Sequence, residues 1–160
     1  KGLLTLLRIW KDIDKKDYIL KIVGEGPLFN EIKNSNLISK SVKLIGYLNN
    51  EEVIELINES KAVVTATKLY EGQPTLLCEA SALNVPSVFP NSGGIKEFFP
   101  SDYKFCYEQF NEEALSTKLT EIINLKQHEI IGNNNHKYIM DFLNENRLLN
   151  KFNTMLEVTL

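Results

Sequence analysis

One hundred and sixty residues, 43% of them hydrophobic and 24% charged, are enough for one domain with its own apolar core. A net charge of −3 supplies no basic field, so nucleic acid is excluded as an expected partner. No apolar run reaches the roughly 18 residues that a membrane-spanning helix requires.

The chain opens on an amphipathic pattern with no small-residue cleavage site after it, so no secretory leader is expected. Leu3, Leu4, Leu6, Leu7, Ile9, Trp10 and Ile13 fall at helical spacing and predict a helix that ends in the charge cluster at 12–17. Residues 18–23 predict a short strand closed by the turn Gly24-Glu25-Gly26-Pro27, and residues 27–38 a second helix. A strand follows over 41–47, with Gly46 near its end. Asn50 is placed to cap a helix over 51–60 whose first turn is acidic, as the helix dipole favours.

The apolar run 61–67 reads as a buried strand, and the pattern turns helical from Pro74 to about Leu83. Residues 84–90 predict a turn into another strand, Gly93-Gly94 the opening of a short helix, and 104–107 one more strand. From about residue 111 the chain reads as three helices, 112–126, 129–144 and 145–157, with Gly132-Asn133-Asn134-Asn135 interrupting the second. Strands alternating with helices over short turns imply βαβ units and a mainly parallel sheet, a Rossmann-like three-layer α/β domain. In such sheets ligands bind beyond the carboxyl ends of the strands, where the glycine-bearing turns at 24–26, 46, 72 and 93–94 would all fall.

Residues 70–80 are the chemical centre of this pattern. A strand, a glycine-bearing turn and a helix start point unpaired backbone N–H groups outward, which makes an anion site. Glu71 in the turn and Glu79 about one turn inside the helix bracket it with two acceptors. Donors for a phosphate and acceptors for hydroxyls suit a phosphorylated sugar.

Glu71 and Glu79 have E-x7-E spacing, and the chain here resembles the C-terminal half of retaining GT-B glycosyltransferases, the "glycosyl transferases group 1" family. Four further blocks occur in the order found in that family: Lys1-Gly2 before an amphipathic helix, Ile22-Val23-Gly24-Glu25-Gly26-Pro27, Val42-Lys43-Leu44-Ile45-Gly46-Tyr47, and Ser92-Gly93-Gly94-Ile95-Lys96-Glu97. Together they span residues 1 to about 98.

The resemblance implies a role for each matching position. Glu71 would contact donor-sugar hydroxyls beside the reacting carbon, where a carboxylate also stabilises oxocarbenium character. Glu79 would bond the ribose hydroxyls. Lys1 would neutralise the departing diphosphate. Gly24, Gly26 and Gly94 would let backbone approach the ligand, and Tyr47 would either stack on the nucleobase or pack in the core. The family commonly has Gly-Phe-Gly where this chain has Gly72-Gln73-Pro74. Pro74 removes one backbone donor, leaving the anion to the N–H groups of Thr75 and Leu76 and to the Thr75 hydroxyl. This departure leaves the donor sugar open.

Asp12-Ile13-Asp14 lies near the end of the first helix, where residues two apart point different ways, and reads as a solvated face. His128 and His136 fall in the helical tail. No metal site or cofactor is expected beyond a UDP- or GDP-sugar donor. Cys78 and Cys106 lack CxxC spacing and read as reduced thiols of a cytoplasmic protein.

The resemblance therefore implies the donor-binding domain of a sugar transferase in polysaccharide or lipopolysaccharide synthesis. The first strand and the acceptor domain would lie upstream of Lys1. The acceptor would be a glycan or a lipid-linked sugar, with any peripheral contact to the inner face of the membrane made through that upstream half. A nucleotide or sugar-phosphate binding module and a GT-B sugar-nucleotide epimerase are the alternatives.

Overall fold

The computed structural model describes residues 2–159, except for the side chains of 157–159. Helix α1 (Leu3–Asp12) is followed by β1 (Leu20–Val23), α2 (Phe29–Lys33), β2 (Val42–Gly46) and α3 (Asn50–Asn58). Next come β3 (Val63–Val64), α4 (Thr75–Ala82), β4 (Ser87–Asn91), a 3-10 turn (Ile95–Phe98) and β5 (Cys106–Glu108). Helices α5 (Glu112–Asn124), α6 (His128–Phe142) and α7 (Glu145–Thr159) close the chain.

All strand pairs are parallel, but they form two groups: β1 with β2, and β3-β4-β5 in that order. The expected single sheet is therefore split between β1 and β3. The run 61–67 forms a much shorter strand than its composition predicts, and a half-buried one. It has a partner on one side only, so alternate residues make its ladder bonds, from Val63 N–H to the Pro86 carbonyl and from Thr65 N–H to Val88.

Helix α1 covers both groups. Its Leu6 and Ile9 pack with Val88, Phe105, Tyr107 and the α5 residues Leu115 and Leu119. Its Leu7 and Trp10 pack with Ile32, Val42 and Ile123. The Trp10 indole N–H reaches the Ser41 carbonyl at 3.0 Å, which satisfies its polar end inside the core.

Among the differences from the elements that the sequence predicts, three have a clear local reason. Helix α2 stops at Lys33 because the Ser35 hydroxyl bonds the Ile32 carbonyl and accepts from Leu37 N–H, which competes with helix continuation. The cap of α3 is Asn49, not Asn50; Asn49 and Glu52 exchange bonds in a reciprocal capping box. The stretch 132–135 does not interrupt α6. Gly132 sits against the Asn84 backbone and Asn135 is buried, so these residues form a packing face.

Cys78 is buried in α4, and burial, with the Glu79 carboxylate adding to it, pushes its thiol up to about 11. Burial raises Cys106 as well. A raised thiol is neutral in the fold, so its contribution to stability is intact below the unfolded value of about 8.5 and is lost as pH rises toward 11. At pH 8, Ellman's reagent is expected to leave Cys78 unmodified in the native chain and to titrate both thiols in urea. Rapid native modification of Cys78 would contradict its burial.

Candidate active site

At the carboxyl ends of the parallel strands the loops after β1 and β2 meet at Gly24 and Gly46, and those after β3 and β4 at Glu71 and Gly94. Thr67, buried just after β3, turns the chain toward Glu71: its hydroxyl donates to Glu71 Oε1 at 3.1 Å and accepts from Leu69 N–H at 3.2 Å. The Glu71 carbonyl accepts from Gly94 N–H at 2.9 Å, which ties this turn to the glycine pair after β4. Gly93 takes a left-handed conformation with φ of 58° and lies directly against the Glu71 backbone.

Pro74 occupies the cap position of α4 rather than its first turn, and it offers no side-chain cap. The Pro74 carbonyl receives Leu77 and Cys78 N–H. The N–H groups of Thr75 and Leu76 therefore have no protein acceptor among the described residues. No acidic side chain stands in the first turn of α4 to occupy this end of the helix dipole. Thr75 is exposed, and its hydroxyl is free to meet a ligand.

A cavity of about 400 Å³ opens beside this helix start. Glu71, Gln73, Pro74, Thr75 and Leu76 line it together with Leu3 and Leu6 of α1. Carboxylate and N–H donors thus share one mouth with an apolar back. Such a site can hold an anion at the helix end and hydroxyl groups at Glu71.

The remaining positions singled out in the sequence are not among the residues that line this cavity. Glu79 is half-buried one turn into α4, and its carboxylate makes no hydrogen bond or ion pair among the described residues. Gly24 N–H bonds the Gly46 carbonyl at 2.7 Å, which brings the turn containing Gly24 and Gly26 beside the end of β2. Tyr47 follows it and is 75% exposed, which removes the core-packing reading of that ring. Gly72 is exposed in the turn, and Gly94 caps the 3-10 turn. Lys1 lies outside the described residues. Asp12 ends α1 and, among the described residues, the Asp14 carboxylate accepts only from Lys16 N–H, as a solvated face would. No cluster of three or more metal-ligating side chains occurs among the described residues.

Sequence reasoning missed the support beneath Glu71. Ser92 Oγ donates to the Leu69 carbonyl at 2.8 Å, and Gln109 Nε2 donates to Ser92 Oγ at 2.9 Å. Ser92 could have been suspected from its place before the glycine pair. Gln109 carries no local signal, because its partners lie far away in the chain.

The sequence profile of glycosyl transferases group 1 matches residues 1–138. The chain belongs to this family. Among curated proteins it is 30% identical over 139 residues to the amylovoran biosynthesis glycosyltransferase AmsD of Erwinia amylovora, a match covering 79% of this chain and 36% of AmsD. The chain thus spans about a third of that relative's length.

Among solved structures, the apo form of the lipopolysaccharide outer core galactosyltransferase WaaB superposes with a TM-score of 0.81 at 21% identity. That match covers all of this chain and 46% of WaaB. HepE of Anabaena, in complex with UDP and glucose, superposes with a TM-score of 0.79 at 16% identity over 99% of this chain and 45% of that one. The fold of this group 1 chain is accordingly the Rossmann-like C-terminal half of the GT-B architecture.

Proposed function

We propose that this chain is the donor-binding half of a retaining glycosyltransferase. It would hold a nucleoside-diphosphate sugar and pass the sugar to a glycan or lipid-linked acceptor in polysaccharide or lipopolysaccharide assembly. The observation that carries this reading is the uncapped, acid-free start of α4 opening into a cavity that Glu71 also lines. The N–H groups of Thr75 and Leu76 bind the distal phosphate, Glu71 accepts from the sugar hydroxyls, and Glu79 takes the ribose. Lys1 neutralises the diphosphate as the glycosidic bond breaks. Gly24, Gly26, Gly94 and the exposed Tyr47 complete the rim, with the Tyr47 ring stacked on the base.

The described residues place no strand between β1 and β3 that would join the two groups. β1 and β3 share no hydrogen bonds, yet α1 packs across both. A parallel strand from upstream of Lys1 fits this place and leads in from an acceptor domain that closes over the donor. AmsD and WaaB, both much longer than this chain, support that arrangement. Binding needs no metal in this reading, because backbone donors and Lys1 carry the phosphate charge. The nucleotide is that of a UDP- or GDP-sugar; HepE, solved with UDP and glucose, shares the fold at 16% identity. No helix of the described residues is long and apolar enough to cross a membrane, and reaction at the inner membrane face would run through the upstream domain.

Calorimetric titration with UDP, GDP and their sugar conjugates, without added metal, tests the proposal. One nucleotide should bind at millimolar strength or tighter, and Glu79→Ala should weaken it about tenfold, the worth of a charge-assisted hydrogen bond. Silence toward every nucleotide in the full-length protein would refute it.

A further inference from the structure

Glu71 stands on a loop, and loops hold geometry only as well as their supports do. The loop 67–71 has no regular secondary structure, and Lys68, Leu69 and Tyr70 are exposed. It is fixed from beneath by residues of the two neighbouring strand ends. Gln109 Nε2 donates to Ser92 Oγ at 2.9 Å and reaches the carbonyls of Leu69 and Thr67 at 3.4 and 3.5 Å. Ser92 Oγ passes its own hydrogen to the Leu69 carbonyl. Thr67, held by its carbonyl, then donates to Glu71 Oε1.

The direction of this relay is set by its chemistry. An amide NH2 has two hydrogens, one for Ser92 and one shared between the two carbonyls. With the amide reversed, its oxygen would face three oxygens, none with a free hydrogen to offer. Ser92 and Thr67 are buried, so water cannot readily replace the lost bonds.

We infer that Gln109 is a positioning residue for Glu71: through Ser92 and Thr67 it holds the carboxylate at the cavity mouth, and so governs the sugar end of the site without touching the ligand. This rests on the donor-site reading above. Its consequence is selective, because the nucleotide end is built separately, on α4. Loss of the relay therefore weakens the hold on sugar and leaves the hold on nucleotide.

The test uses the full-length protein and two probe pairs, UDP with UDP-glucose and GDP with GDP-mannose, taking the pair that the wild type binds. Gln109→Glu keeps the shape of the side chain and removes its N–H donors. It is expected to bind the bare nucleotide within about twofold of wild type and to lose about tenfold in affinity and turnover for the sugar nucleotide. Ser92→Ala, which breaks the same relay with a smaller change, should show the same split and serves if circular dichroism finds Gln109→Glu unfolded. Equal weakening of both ligands, or of neither, would overturn the inference while leaving the donor site standing. A wild type that binds no probe would overturn both, and the two failures are thereby told apart.

Discussion

Gly93→Ala is expected to lower sugar transfer by the full-length protein about 100-fold, the cost of moving a reacting group by about an ångström. Gly93 has φ of 58°, and a β-carbon there would lie 2.1 Å from the Glu71 carbonyl oxygen and 3.0 Å from its nitrogen. Both neighbours are backbone, so no side chain can rotate to make room. Left-handed backbone costs alanine about 1–2 kcal/mol more than glycine. The Glu71 turn must shift, and the bond from Gly94 N–H to the Glu71 carbonyl goes with it. Because α4 is untouched, nucleotide affinity should change much less than turnover. Steady-state kinetics alongside nucleotide titration check this, and turnover within threefold of wild type would show that the turn tolerates displacement.

Gly132→Ala should lower stability by about 3 kcal/mol, at the upper end for overpacking. A β-carbon at this position would stand 1.7 Å from the Asn84 carbonyl oxygen and 2.5 Å from its carbon. Asn84 is itself held at φ of 60°, so the turn after α4 has little freedom to yield. Helix α6 must instead lift away from α4. Lifting it strains the contact of His136 Nδ1 with the Ala82 carbonyl and the bond from the Tyr138 hydroxyl to the Glu97 carbonyl. A chain of this length should lose about 10 °C in Tm. Urea unfolding with an unchanged m-value would confirm a native-state effect, whereas a loss below about 0.5 kcal/mol would mean that α6 relaxes freely.

These two glycines show how far the sequence could be read. Gly93 is legible because a glycine pair after an apolar strand announces a turn, and the structure places that turn against Glu71. Gly132 misleads because a glycine among asparagines looks like a break, whereas its use is a contact with Asn84, 48 positions earlier by the numbering. The parallel α/β order was visible in the alternation of apolar runs and turns. The seam between β1 and β3 was not visible in that alternation, since strand pairing is decided between segments; only the upstream first strand implied by the resemblance pointed to it. The free N–H groups of α4 followed from Pro74 and the turn before it. Gln109 did not, because a glutamine after a strand is unremarkable until the fold brings Ser92 and Leu69 to it.

The way α1 straddles the seam bears on how the chain comes apart. Leu6 and Ile9 belong to one apolar cluster, Leu7 and Trp10 to another, and α5 repeats the pattern with Leu119 and Ile122 in the first cluster and Ile123 in the second. Two strand groups without a shared ladder could melt as separate units. Because the same two helices carry residues of both, neither unit can open without stripping the other of part of its apolar cover. Amide exchange of β1–β2 and of β3–β5 should therefore slow and quicken together, one cooperative transition imposed by α1 and α5 instead of by hydrogen bonds between the strands.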